Sequence, residues 1–184
     1  MPSGGSLKKS HRRLSKTNLL AAFECLETRL LYSVHNDSFD LTQLTQLRAD
    51  PAYSSITGKG IGIAVLDTGV DAKNPDLSSK VVAYYNAVEN AIPATISSSS
   101  VASAVDNDGH GTHTSGIAAS ADPNIGVADG ANLIDVKVIA DSGETQISGD
   151  PLLRGLDFVQ QYANQFNIKV VSMSLGYSTS SGGV

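Results

Sequence analysis

Three stretches of the chain carry side chains able to do acid–base or nucleophilic work. Asp67 closes the apolar run Ile61-Gly62-Ile63-Ala64-Val65-Leu66. His110 stands between Gly109 and Gly111, three residues before His113, and Ser174 follows the run from Ile168 to Met173. A carboxylate that grips one nitrogen of an imidazole fixes its tautomer, and the other nitrogen can then take a proton from a hydroxyl. Each residue also has a plainer reading. An aspartate that ends a strand before Thr-Gly often only shapes a turn, and Ser174 can be simply the end of a core strand. Two histidines three apart can form a metal pair, but the glutamate of the zinc-binding pattern His-Glu-x-x-His is absent, so His113 reads as a structural histidine within a helix.

Such residues work only if the fold brings them together. The run from Ile61 to Leu66, preceded by Gly58 and Gly60, suits a strand buried on both faces of a parallel sheet. From Gly111 the small residues Gly116, Ala118 and Ala119 predict a helix that can approach a sheet closely. Leu133 to Ile139 alternates apolar and polar residues up to the turn Asp141-Ser142-Gly143, as a strand does. Asp150 as N-cap and Pro151 at the first position open a helix with Leu152, Leu156, Val159, Ala163 and Phe166 on one apolar face. Ile168 to Met173 is a further β-branched run. The order β, α, β, α, β predicts an α/β fold, a parallel sheet with helices on both faces. In such sheets, sites form beyond the carboxyl ends of the strands, where Asp67 and Ser174 both fall. Residues 89–105, rich in Ser and Ala around Pro93, read as an exposed loop.

With 184 residues, 41% of them hydrophobic, one domain with a real core is expected. A net charge of -5 argues against a nucleic-acid-binding face, which needs a clustered excess of Lys and Arg. The basic residues instead crowd the start, where Lys8, Lys9, Arg12, Arg13 and Lys16 precede the apolar stretch Leu19 to Phe23. That stretch is too short to span a bilayer, so no stable membrane insertion is expected. Glu24 and Glu27 interrupt it, which makes a standard secretory signal a poor match. A basic amphipathic helix docked on the domain is the alternative. The sole cysteine, Cys25, lies in this leader and excludes an intrachain disulfide. The chain thus divides into a leader at 1–33, a connector at 34–57 and a domain at 58–184. The connector holds a short helix at Leu41, Leu44 and Leu47 that Pro51 should end.

The segment Ala64-Val65-Leu66-Asp67-Thr68-Gly69-Val70-Asp71, with Asn74-Pro75-Asp76-Leu77 after it, resembles the aspartate motif of subtilisin-like serine proteases. Asp108-Gly109-His110-Gly111-Thr112-His113-Thr114-Ser115-Gly116 resembles their histidine motif. Val170-Val171-Ser172-Met173-Ser174-Leu175-Gly176 resembles the strand lining their substrate cleft. The resemblance runs from about residue 55 to 184. It implies Asp67 as the orienting carboxylate and His110 as the general base. It also implies that Ser174, Leu175 and Gly176 pair with an extended polypeptide substrate. No cofactor is required for that chemistry. A structural calcium is implied at Asp76, with the carbonyls of Ile125 and Val127 as further ligands, although Pro123 stands where a ligating asparagine is expected. The leader segment Phe23 to Ser33 is similar to an N-terminal signature of predicted extracellular proteins of planctomycete bacteria, which implies an exported protein.

The family pattern continues with an oxyanion-hole asparagine and then Gly-Thr-Ser-Met-Ala, whose serine is the nucleophile. No serine in these 184 residues has that context. The expectation is therefore a serine endopeptidase truncated before its nucleophile and inactive alone, with a C-terminal continuation carrying the serine as its partner. A non-catalytic remnant that binds peptides through the cleft strand is the alternative.

Overall fold

The computed structural model of the protein describes residues 38–89, 101–141 and 149–176. The leader at 1–33 and its signature therefore lie outside the described residues. Two units divide the chain, Met1–Gln43 and Leu44–Val184. In the first, the Thr42 amide closes a turn on the Ser38 carbonyl at 3.0 Å.

The second unit is built on a four-stranded parallel sheet. Its strands are β1 (Gly62–Asp67), β2 (Val81–Asn86), β3 (Asn132–Lys137) and β4 (Ile168–Ser172), in the order β2-β3-β1-β4. Among the described residues the helices α1 (Leu44–Ala49), α2 (His110–Ala119) and α3 (Gly149–Tyr162) accompany it. Every residue of β1 is buried, and the reason lies in the two cores. Ile63 and Val65 join Leu133 and Ala119 of α2 on one face, while Ala64 and Leu66 join Ile134, Val136, Phe158 and Val159 of α3 on the other. Helices thus cover both faces, and a strand buried twice has no polar side to alternate with.

Several sequence expectations change in detail. β3 is not half-solvated: Asp135 and Lys137, the polar members of its alternation, are buried. No strand is anticipated at Val81–Asn86, yet it forms an edge of the sheet with alternate residues buried, the period of a strand with one covered face. On α3, Leu156 is exposed; the helix instead packs through Pro151, Gly155, Phe158 and Val159. Gly155 makes that approach close, since a Cβ there would lie 2.8 Å from Val138 Cγ1. On α2 the closely packed residues are Gly111, Ser115 and Ala119, whereas Gly116 faces open space. Of the predicted loop at 89–105, residues 90–100 lie outside the described residues, and Ala104 is fully buried rather than exposed. α1 ends before Pro51 as its sequence requires, with no residue buried.

Candidate active site

β1 is a central strand, and its carboxyl end delivers Asp67 into the interior at 1% exposure. α2 runs back over the same face, and its first residue is His110. Gly109, at φ 96°, takes the left-handed turn into the helix that a side chain would resist. Gly111 then lets the helix start touch the turn after β1: a Cβ there would lie 2.1 Å from the Gly69 carbonyl oxygen. The outcome is a 2.7 Å contact between His110 Nδ1 and Asp67 Oδ1, across 43 residues of sequence. Asp67 is further held by the Thr68 amide on Oδ1 at 2.7 Å and the Thr114 hydroxyl on Oδ2 at 3.3 Å.

With the Asp67 oxygen accepting from the ring, Nδ1 carries the proton in the neutral imidazole and Nε2 keeps its lone pair. The hydrogen bond to Asp67 raises the His110 pKa above its ordinary value of 6.5. Partial burial opposes this, and the charges of Asp67, Asp108 and Asp106 reinforce it. The ring remains about half exposed, at 47%.

Asp106 organises the start of α2. Its Oδ1 accepts the Thr68 hydroxyl and the Asp108 and Gly109 amides at 2.9, 3.2 and 3.0 Å, and its Oδ2 accepts the Thr112 amide and hydroxyl at 2.9 and 2.6 Å. Burial alone would raise its pKa, but these bonds outweigh burial and hold it below the ordinary 3.8. Thr68 passes the link on, its hydroxyl accepting the Gly111 amide at 2.9 Å. Behind Asp67, Lys137 of β3 donates to the Thr68 carbonyl and, at 2.6 Å, to Asp141. Beneath the turn, Asp135 accepts the Val70 amide at 3.0 Å, and burial pushes its carboxyl well above the carboxylate range. Its Oδ1 has no partner, a state less costly for a neutral acid than for an anion.

The neighbours of β1 form the walls of a cleft above this pair. Ile139 and Ala140 follow β3, Ser174, Leu175 and Gly176 follow β4, and together with Thr68, Asp108 and His110 they line a space of about 180 Å³. Ser174–Gly176 therefore sit in the same cleft as His110. His113 is exposed on α2 and does not join them. Asp76 is exposed too, with its amide on Asn74 Oδ1 at 2.9 Å and its carbonyl taken by the Ala121 amide at 2.9 Å.

One of the ligands expected for calcium, the Val127 carbonyl, is already engaged by a cationic side chain. The Val127 carbonyl accepts Arg48 Nη2 at 3.1 Å, and the Gly126 and Pro123 carbonyls beside it also accept from Arg48. Among the described residues no three His, Cys, Asp or Glu side chains cluster to hold a metal.

Residues 58–184 match the family model for the subtilase family. The chain belongs to the subtilase family. Thermitase of Thermoactinomyces vulgaris is 32% identical over 143 residues, 76% of this chain and 46% of thermitase. An intracellular serine protease of Paenibacillus polymyxa is 33% identical over 135 residues, 71% of this chain and 37% of that protein. Among solved structures, sphericase superposes with a TM-score of 0.56 at 31% identity, covering 74% of this chain and 44% of sphericase. A cold-adapted subtilisin-like serine proteinase gives 0.53 at 30% identity, covering 71% and 42%. The subtilase chain thus spans less than half the length of these relatives.

Asp106, Asp135, Lys137 and Arg48 escape the sequence reading, which names Thr68 and Thr114 only as parts of the two motifs. An acidic residue just ahead of a helix is a recognisable signal for Asp106. Asp135 and Lys137 give none, because they read as the solvent side of an ordinary strand.

Proposed function

We propose that the chain supplies the aspartate and histidine of a subtilisin-like serine endopeptidase that cleaves polypeptides. The observation that carries this reading is the 2.7 Å contact of the buried Asp67 carboxylate with His110, beside a cleft bounded by the continuations of two strands. Asp67 orients the ring and stabilises the imidazolium. His110 Nε2 takes the proton of a serine hydroxyl as that oxygen attacks the peptide carbonyl, then gives it to the leaving amine. Ser174–Gly176 offer main-chain groups to an extended substrate on one side of the cleft, and Ile139–Ala140 bound the other.

The nucleophile comes from a segment outside these 184 residues, since none of them carries the Gly-Thr-Ser-Met-Ala pattern. Losing the nucleophile alone costs such a triad on the order of 10⁶ in kcat, subtilisin itself being the reference case. Treating the 184-residue chain with a fluorophosphonate probe tests this directly, and no serine should be labelled. Labelling of one serine that disappears in His110→Ala would show that these residues hold their own nucleophile.

The resemblance of Phe23 to Ser33 to an N-terminal signature of extracellular proteins supports an exported destination. The relatives do not decide it, one of them being named an intracellular protease. In the described residues no helix is long and apolar enough to cross a membrane.

A further inference from the structure

Arg48 lies on α1, ahead of the residues that the family model matches, yet it reaches a loop 75 to 79 residues later. Its Nη1 donates to the Pro123 carbonyl, and its Nη2 to the Gly126 and Val127 carbonyls at 2.6 and 3.1 Å. The loop is folded so that these oxygens turn to one point. The Ile125 and Gly126 amides both close on the Asp122 carbonyl at 2.9 Å, and Asp122 Oδ1 accepts the Asn124 amide at 2.8 Å. Converging carbonyls are hard oxygen donors with no amide opposite them, the arrangement that binds a cation. Here the cation is covalently part of the chain, and its planar fork can serve several acceptors at once.

We propose that Arg48 is a built-in cation that holds the 123–127 loop in the place where calcium would be expected, so that the loop's order does not depend on a metal. A divalent ion on the Val127 carbonyl would have to displace Nη2 and then face a fixed positive charge a few ångströms away. The consequence reaches the helix that begins with His110. The Val127 and Ala128 amides close on the Ile117 and Ala118 carbonyls, at 2.9 Å each, and so satisfy two carbonyls of the final turn of α2. Residues 44–49 are then a brace for α2 rather than a connector. This inference concerns the loop and stands independently of whether the chain takes part in catalysis.

The test uses the full 184-residue chain and its Arg48→Gln and Arg48→Lys variants. Thermal unfolding is followed in EDTA and in calcium chloride, calcium binding by calorimetry, and local order by amide hydrogen exchange. Wild type should melt at the same temperature in both media and give no saturable heat with calcium. Arg48→Gln should lower the melting temperature by on the order of 5 °C and speed exchange at Val127 and Ala128 more than in β3. Arg48→Lys keeps the charge but loses the fork, and should fall between the two. If Arg48→Gln does not fold, Arg48→Lys carries the same reading through faster exchange at Val127 and Ala128. Saturable calcium binding that raises the wild-type melting temperature, or unchanged exchange in Arg48→Lys, would overturn the proposal.

Discussion

Asp106 shows how one carboxylate can set the geometry of a histidine it does not touch. Five donors converge on its two oxygens, from the turn after β1, the loop leading into α2 and the first turn of α2. Replacing it with alanine leaves the Thr68 and Thr112 hydroxyls and several amides without that acceptor. Asp106→Ala should therefore lower stability by about 2 kcal/mol, measured by urea unfolding at neutral pH. The sign of the pH dependence follows from its folded pKa, which lies below 3.8. Its contribution is present above 3.8 and is lost as pH falls through the folded value, so the variant should show a shallower loss of stability in acid than wild type. Asp67 and His110 are legible in the sequence because their neighbours form specific motifs. Asp135 and Lys137 are not, since burial of a polar residue at a strand position depends on what packs over the sheet.

The approach of α2 to the turn after β1 is an element-scale constraint concentrated at Gly111. Any Cβ there collides with the Gly69 carbonyl and also comes within 3.1 Å of Asp67 Cβ. Gly111→Val should push the start of α2 outward and cost roughly 1–3 kcal/mol as overpacking. A crystal structure of the variant should show the 2.7 Å His110–Asp67 contact lengthened, and an unchanged contact would remove the glycine from the account. Strands β1 and β4 and helix α3 are foreseen from apolar runs, which are local signals, although α3 begins at Gly149, ahead of the expected N-cap Asp150. β2 passes unnoticed although Val81, Ala83 and Tyr85 alternate with less buried neighbours. The face of α3 is misjudged at Leu156 because the helix lies against the sheet at Gly155, which has no side chain, and hydrophobic periodicity does not register a glycine contact.

For the molecule as a whole, the sheet brings together residues far apart in sequence. Asp67 arrives on a central strand, His110 on a helix across one face, and the cleft walls on the strands either side of β1. The chain spans less than half the length of thermitase and similar proteins, and the aspartate–histidine pairing can be measured in this chain by itself. The imidazole titration of His110, followed by nuclear magnetic resonance in the wild type and in Asp67→Asn, tests that pairing most directly. A pKa raised by Asp67 means that the pair's contribution to stability is full below about 6.5, is lost as pH rises through the folded value, and leaves the ring ready as a base only above that value. The account predicts a wild-type His110 pKa above 6.5 that falls in Asp67→Asn. A His110 that titrates at its ordinary value, and identically in both proteins, would contradict it.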